Sequence, residues 1–192
     1  VINTGIWLIF GVFGTLPYLF TGSVDSFTDA FFESVSGFTT TGASIMDNVE
    51  SLPHGVLFWR SITQWIGGIA TISLSLYVLP IVKTLNKQLS TNEFSGLRTD
   101  KIHPKIIEAT KRLVFIFVGL TFAEALLLII GKMPPFDAVC HSFSTLSTGG
   151  FSTRNNGIAA FPSSYIRIIF IIFMFLAGTN LSLTYFAAKR NF

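Results

Sequence analysis

Apolar residues run on for roughly the length of a membrane crossing in four places along this 192-residue chain: 1–24, 61–82, 113–131 and 168–188. Three of these stretches carry no charge, and 113–131 is interrupted only by Glu124. A helix rises about 1.5 Å per residue and a hydrocarbon core needs roughly 20 residues to cross, so each stretch predicts a spanning helix. Shorter amphipathic segments at 26–38 and 136–147 lie between the first and second and between the third and fourth. Helices that short reach only partway into a bilayer and must enter and leave on the same side. The pattern predicts an all-α membrane protein made of two repeats: transmembrane helix, re-entrant pore helix with its loop, transmembrane helix. The starts of the short helices carry opening signals. Ser26 with Asp29 fits a capping box, and Pro134-Pro135 before Asp137 fits a helix start.

The duplication is visible in the residues themselves. FTDAFFESVSGFTTTGAS at 27–44 aligns without a gap on PFDAVCHSFSTLSTGGFS at 135–152. Identical pairs are Asp29/Asp137, Ala30/Ala138, Ser34/Ser142, Ser36/Ser144, Thr40/Thr148, Gly42/Gly150 and Ser44/Ser152. Ser, Thr and Gly in this density suggest surface turns in most proteins. Here the repeat reproduces each loop together with the helix before it, which favours a common intramembrane role. Irregular backbone at membrane depth is tolerated only where protein or water surrounds it, so the loops at 39–45 and 147–153 are expected to line a water-filled cavity.

Composition agrees with a chain that lives in lipid: half the residues are hydrophobic, 12% are charged and 21 are Phe. Of 13 Lys and Arg, seven fall in 83–112 and two more, Lys189 and Arg190, follow the last span. By the positive-inside tendency those segments are cytoplasmic and both loops lie on the outer side. The net charge of +3 is accounted for by these topology determinants, with no call for nucleic acid. The organisation expected is a first pore unit at 1–82, a cytoplasmic linker at 83–106 containing the breaker His103-Pro104, and a second pore unit at 107–192. The chain opens on Val1 almost inside a span and reads as truncated at the front.

No enzyme chemistry is legible. Cys140 is the sole cysteine, and His54, His103 and His141 are scattered without ligand-spaced partners. Ser, His and Asp occur in no triad or elbow context, so no catalytic residue and no cofactor are expected. The loops argue instead for a monovalent cation. Neither contains Asp, Glu, Lys or Arg; selectivity then rests on backbone carbonyls and hydroxyls, which suits weakly hydrated K+. Gly42 and Gly150 permit positive φ or the close approach of several backbones around one ion. Each short helix would aim its partially negative C-terminus at the cavity.

FFESVSGFTTTGAS, LPHGVLFWRSITQWIGG, PKIIEATKRL and FDAVCHSFSTLSTGGFST together resemble the TrkH type of the Trk/Ktr/HKT potassium transporter superfamily. The resemblance covers nearly the whole chain. It implies K+ uptake across a bacterial inner membrane, with four such units around one pore, of which this chain carries two. By motif match Gly42 and Gly150 are the filter glycines, flanked by Thr40, Thr41, Ala43, Thr148, Gly149 and Phe151. It also implies a homodimer, a cytoplasmic nucleotide-binding regulatory subunit, and a gating loop that belongs to a third unit and so lies outside this chain. Coupling to Na+ or H+ is left open.

Three features of the spans have alternative readings. Gln64, Gly68, Thr71 and Ser75 recur at helical spacing, either as a pore-facing stripe or as a close-packing face. Glu124 is either functional or a buried structural partner. Gly178-Thr179-Asn180 either bends the last span or packs within it. Beside the transporter reading stand a two-unit K+ channel that closes its ring as a homodimer, and a non-conducting membrane scaffold.

Overall fold

The computed structural model describes residues 2–90 and 102–179, with side chains within 5–75 and 107–179. All its regular elements are helical. In chain order they are α1 (Ile2–Gly14), α2 (Leu16–Phe20), α3 (Phe27–Phe38), α4 (His54–Ser90), α5 (Ile102–Ile130), α6 (Pro135–Leu146) and α7 (Ser164–Gly178), with single 3₁₀ turns at Val49–Ser51 and Gly157–Ala160.

The two short helices fall where the amphipathic segments predict them. Ser26 takes the N-cap position of α3 in extended conformation, yet its hydroxyl makes no capping bond, so the expected capping box is not formed. Pro134 and Pro135 open α6 as expected, Pro135 at a position whose N–H would have had no helical partner.

The long helices differ from the hydropathy boundaries for local reasons. The first apolar stretch is not one helix: α1 ends at Gly14, and α2 restarts beyond Thr15, whose hydroxyl donates to the Val12 carbonyl at 2.6 Å. Pro17 explains the break, since it lacks an N–H and its ring crowds the carbonyl four residues back. α4 starts at His54 and runs 37 residues, about 55 Å, which exceeds a bilayer core. It therefore continues past Val82 into the segment read as linker, and α5 begins at Ile102 with Pro104 in its first turn, where proline is tolerated. His103-Pro104 thus opens a helix and does not break one; residues 91–101 of the expected linker lie outside the described residues. α7 stops at Gly178, and Thr179 turns extended at φ −82°, ψ 163°. The Gly178-Thr179 pair terminates this helix, and Asn180 lies outside the described residues.

Each half has the same plan, with α3 packed on α1 and α6 on α5. α4 joins the halves, since it packs against both α3 and α6. Gly67 lets it approach closely: a Cβ there would collide with the Phe38 carbonyl at the end of α3. The interior is rich in hydroxyls and amides, including Ser34, Ser36, Thr63, Gln64, Ser142 and Ser144, while Phe13, Phe115, Phe122, Ile130, Ile171 and Phe175 are exposed on the outer faces of α1, α5 and α7. Apolar clusters such as Phe117, Leu128, Leu146 and Phe170 share the interior with these polar groups, and the apolar outer faces are those expected of helices bathed in lipid. Among the described residues, Ile107–Ile130 is long and apolar enough to span, and Gly5–Phe20 and Ser164–Gly178 are shorter apolar helices.

Candidate functional site: two apposed carbonyl loops

Both short helices end in the same turn. In the first, Thr40 N–H donates to the Gly37 carbonyl and Thr41 N–H to that of Ser36, each at 3.0 Å; in the second, Thr148 and Gly149 repeat these bonds to Thr145 and Ser144 at 2.9 Å. This is the Schellman pattern, which needs a residue in the left-handed region just past the helix. Threonine, not glycine, holds that place: Thr40 has φ 55° and Thr148 φ 54°. Two residues later Gly42 and Gly150 are again left-handed, at 76° and 88°. Left-handed residues alternating with ordinary ones turn successive carbonyls toward one side of the strand. Among the described residues no donor reaches the carbonyl oxygens of Thr40, Thr41, Gly42, Thr148, Gly149 or Gly150. Those oxygens carry no hydrogen bond from the described residues, and the Gly149 oxygen lies against Gly42.

The next carbonyl in each loop is held from behind. Ser36 Oγ donates to the Ala43 carbonyl at 2.5 Å, and Ser144 Oγ to that of Phe151 at 2.6 Å. Ser144 is also within 2.6 Å of Gln64 Oε1, which in turn accepts from Phe151 N–H at 3.2 Å. Gln64 is fully buried and belongs to α4, so the first unit's second long helix braces the second unit's loop. The loops also touch: a Cβ on Gly42 would occupy the place of the Gly149 carbonyl. The second loop also borders a cavity of about 440 Å³ walled by Thr148, Gly150, Phe151, Ser152 and Met174.

Thus the residues expected from the sequence to form a filter, Thr40, Thr41, Gly42, Ala43, Thr148, Gly149, Gly150 and Phe151, lie in two loops that touch at Gly42 and Gly149. The stripe on α4 divides. Gln64 backs the second loop and Gly68 packs on Ser147 and Phe117, whereas Thr71 and Ser75 are exposed in this chain. Glu124 is fully buried on α5, and neither carboxylate oxygen has a hydrogen-bond partner among the described residues. Its polar neighbour is Thr145 on α6, whose hydroxyl donates to the His141 carbonyl.

Sequence reading overlooked the charged frame outside the loops. Arg60 Nε meets Glu33 Oε1 at 2.8 Å, with both side chains buried. The other Glu33 oxygen accepts from Ile45 N–H at 3.1 Å. At the matching place in the second repeat stands His141, whose Nε2 pairs with Ser152 Oγ at 3.0 Å. Asp137 takes Thr153 Oγ1 at 2.8 Å and Arg154 Nη2 at 2.7 Å. The signal lay in the repeat: Ser44 and Ser152 are identical and each meets the side chain that differs, Glu33 or His141.

The TrkH family, described as cation transport proteins, matches residues 2–190. A Trk system potassium uptake protein TrkH of Salmonella typhimurium is 45% identical over 179 residues, 92% of this chain and 37% of the relative. Its counterpart in Vibrio parahaemolyticus is 40% identical over 184 residues, 95% of this chain and 38% of the relative. The crystal structure of the potassium transporter TrkH from Vibrio parahaemolyticus superposes with a TM-score of 0.81 at 36% identity, covering 97% of this chain and 37% of that one. The chain spans little more than a third of the length of these relatives.

Proposed function

Since the chain belongs to the TrkH family of cation transport proteins, we propose that it supplies two of the four walls of a K+ uptake pathway in a bacterial inner membrane. The relatives are named as potassium uptake proteins, and the alternating loop geometry of this chain supports the same ion here. The observation that carries the reading is the paired loop: two loops whose Thr40–Gly42 and Thr148–Gly150 carbonyls accept no hydrogen bond from the described residues, with left-handed residues at the same two positions and no charged side chain in 39–45 or 147–153. A ring of carbonyl dipoles replaces the hydration shell of a weakly hydrated cation better than that of a compact one. Residues Thr40, Thr41, Gly42 and Ala43 form one wall, and Thr148, Gly149, Gly150 and Phe151 the next. α3 and α6 end at the loops, so the negative ends of their dipoles add to the field a cation meets.

Two strands close half a ring, so the working pore takes two further units, from the rest of a longer polypeptide or from a second copy. A homodimeric assembly and a cytoplasmic nucleotide-binding regulatory subunit belong to the same reading, as expectations drawn from the family. The first unit is assigned to 1–82, the connection to 83–106 and the second unit to 107–192, with the loops outside and the basic connection in the cytoplasm. The test is Rb+ uptake in a K+-uptake-deficient bacterium carrying the complete transporter. Uptake at limiting external K+ is the expected result, and its absence at normal membrane protein levels removes K+ transport from this chain.

A further inference from the structure

We propose that Arg60 is a positioning residue that holds the outer ends of the two carbonyl strands in register and so sets how sharply the pathway distinguishes K+ from Na+. The inference rests on the K+ reading above and adds to it a residue outside the loops, on α4.

Arg60 sits where both units meet. Its Nε donates to Glu33 Oε1 on the first short helix at 2.8 Å, its Nη2 to Ser44 Oγ just past the first loop at 3.0 Å, and its Nη1 to the Ser152 carbonyl just past the second at 3.2 Å. Its guanidinium carbon lies 4.3 Å from the ring centre of Phe151. Ser44 passes the contact on by donating to Glu33 Oε1 at 3.0 Å. One planar group therefore ties the residue after Ala43 to the residue after Phe151. Arg60 is 2% exposed and Glu33 not at all, so the pair is removed from water, and loss of either partner would leave a buried charge uncompensated.

The chemistry requires arginine. A guanidinium offers several donors in a rigid plane and stacks on an aromatic face, whereas an ammonium is a single point charge on a flexible stem. Lysine at position 60 would still neutralise Glu33, but it would be unable to meet Glu33, Ser44 and the Ser152 carbonyl in these directions together. The outer carbonyls would then be held in each unit separately, by Ser36 and Ser144, and the spacing between strands would be free to relax. Discrimination between ions depends on that spacing and on the ligand field it fixes.

A second bridge between the units supplies the control. Asn155 Oδ1 accepts from Val49 N–H at 2.7 Å and its Nδ2 donates to Asn48 Oδ1 at 2.9 Å, away from the loop carbonyls.

The experiment compares Rb+ and Na+ uptake by the complete transporter in liposomes, normalised to folded protein by size-exclusion recovery. Arg60→Lys is expected to lower the Rb+/Na+ ratio by about tenfold, the change that 1.4 kcal/mol makes, while Asn155→Ala keeps the wild-type ratio. A wild-type ratio for Arg60→Lys, or an equal fall for Asn155→Ala, overturns the assignment. Should Arg60→Lys fail to accumulate, Ser44→Ala decides: it removes the Nη2 partner, with the bonds Ser44 makes to Glu33 and Met46, and leaves the Arg60–Glu33 pair in place; a reduced ratio supports the proposal while an unchanged one overturns it. The wild-type transporter's own ion order judges the K+ reading separately. If it prefers another cation, the same variants are scored against that preference, and an unaltered order again counts against Arg60.

Discussion

A side chain added at Gly42 and one added at Gly150 meet different surroundings, although the sequence makes the two positions equivalent. Both are left-handed, at φ 76° and 88°, a region that costs an L-residue roughly 1–2 kcal/mol. At Gly150 nothing else stands within 4 Å of the added atom, whereas at Gly42 the Gly149 carbonyl is already there. Gly150→Ser is therefore expected to reach the membrane in near-normal amount and to weaken the preference for K+ over Na+. Gly42→Ser should lose both folded protein and selectivity, because one strand must shift against the other. Growth of a K+-uptake-deficient bacterium at limiting K+ with rising Na+, normalised to membrane protein, separates these outcomes. An unchanged ion ratio for both variants would remove the two glycines from the filter.

Between elements, α4 approaches the end of α3 closely at Gly67. Gly67→Ala places a methyl group against the Phe38 carbonyl, and overpacking of this kind costs about 1–3 kcal/mol. The expected result is a lower melting temperature of the purified transporter, with the first loop more exposed to hydrogen exchange. Gly119→Ala on α5 is the control, since a Cβ there has no neighbour within 4 Å and alanine favours a helix. Equal melting temperatures for both variants would show that α4 does not press on α3. Different contacts explain why α4 is indifferent to the hydropathy boundary at Ser61: its first two turns, from His54, carry Arg60 and Trp59, whose indole N–H donates to the Gly14 carbonyl of α1 at 3.1 Å. Those turns are held by polar contacts to other helices, which an apolar count does not register.

For the molecule as a whole, the two loops meet at Gly42 and Gly149, and in the proposed four-wall pathway they make half of the ring. A demonstrated monomer of this chain in liposomes is expected to give no selective Rb+ flux, since half the ligands of a dehydrated cation are missing. Selective flux from the monomer would contradict the four-wall reading, and flux confined to a dimer would favour the two-unit channel. Orientation is a separate expectation. A cysteine introduced at Asn155, exposed beside the second loop, should label from outside intact cells, and one at Lys87 should not. Labelling at 87 from outside would reverse the topology.

Much of this architecture was legible in the residue order because it rests on local rules. Helix length against bilayer thickness gave the apolar spans and the two half-length helices, and the gapless repeat located both loops and paired Gly42 with Gly150. Pro17 already carried the information for the break between α1 and α2, although hydropathy alone merged them. What the sequence could not supply were partners far apart in the chain. Arg60 reaches back 27 residues to Glu33 and forward 92 to Ser152, and Gln64 reaches 80 residues to Ser144. Charge counting set the topology from 83–112 and gave Arg60 no part in it, and helical spacing placed Gln64 on a stripe with Thr71 and Ser75. Only tertiary packing decided that the first unit's α4 carries both residues between the loops, because a buried guanidinium is tolerable only where the fold brings acceptors to meet it, and the Gln64 oxygen finds Ser144 and Phe151 N–H only through that packing.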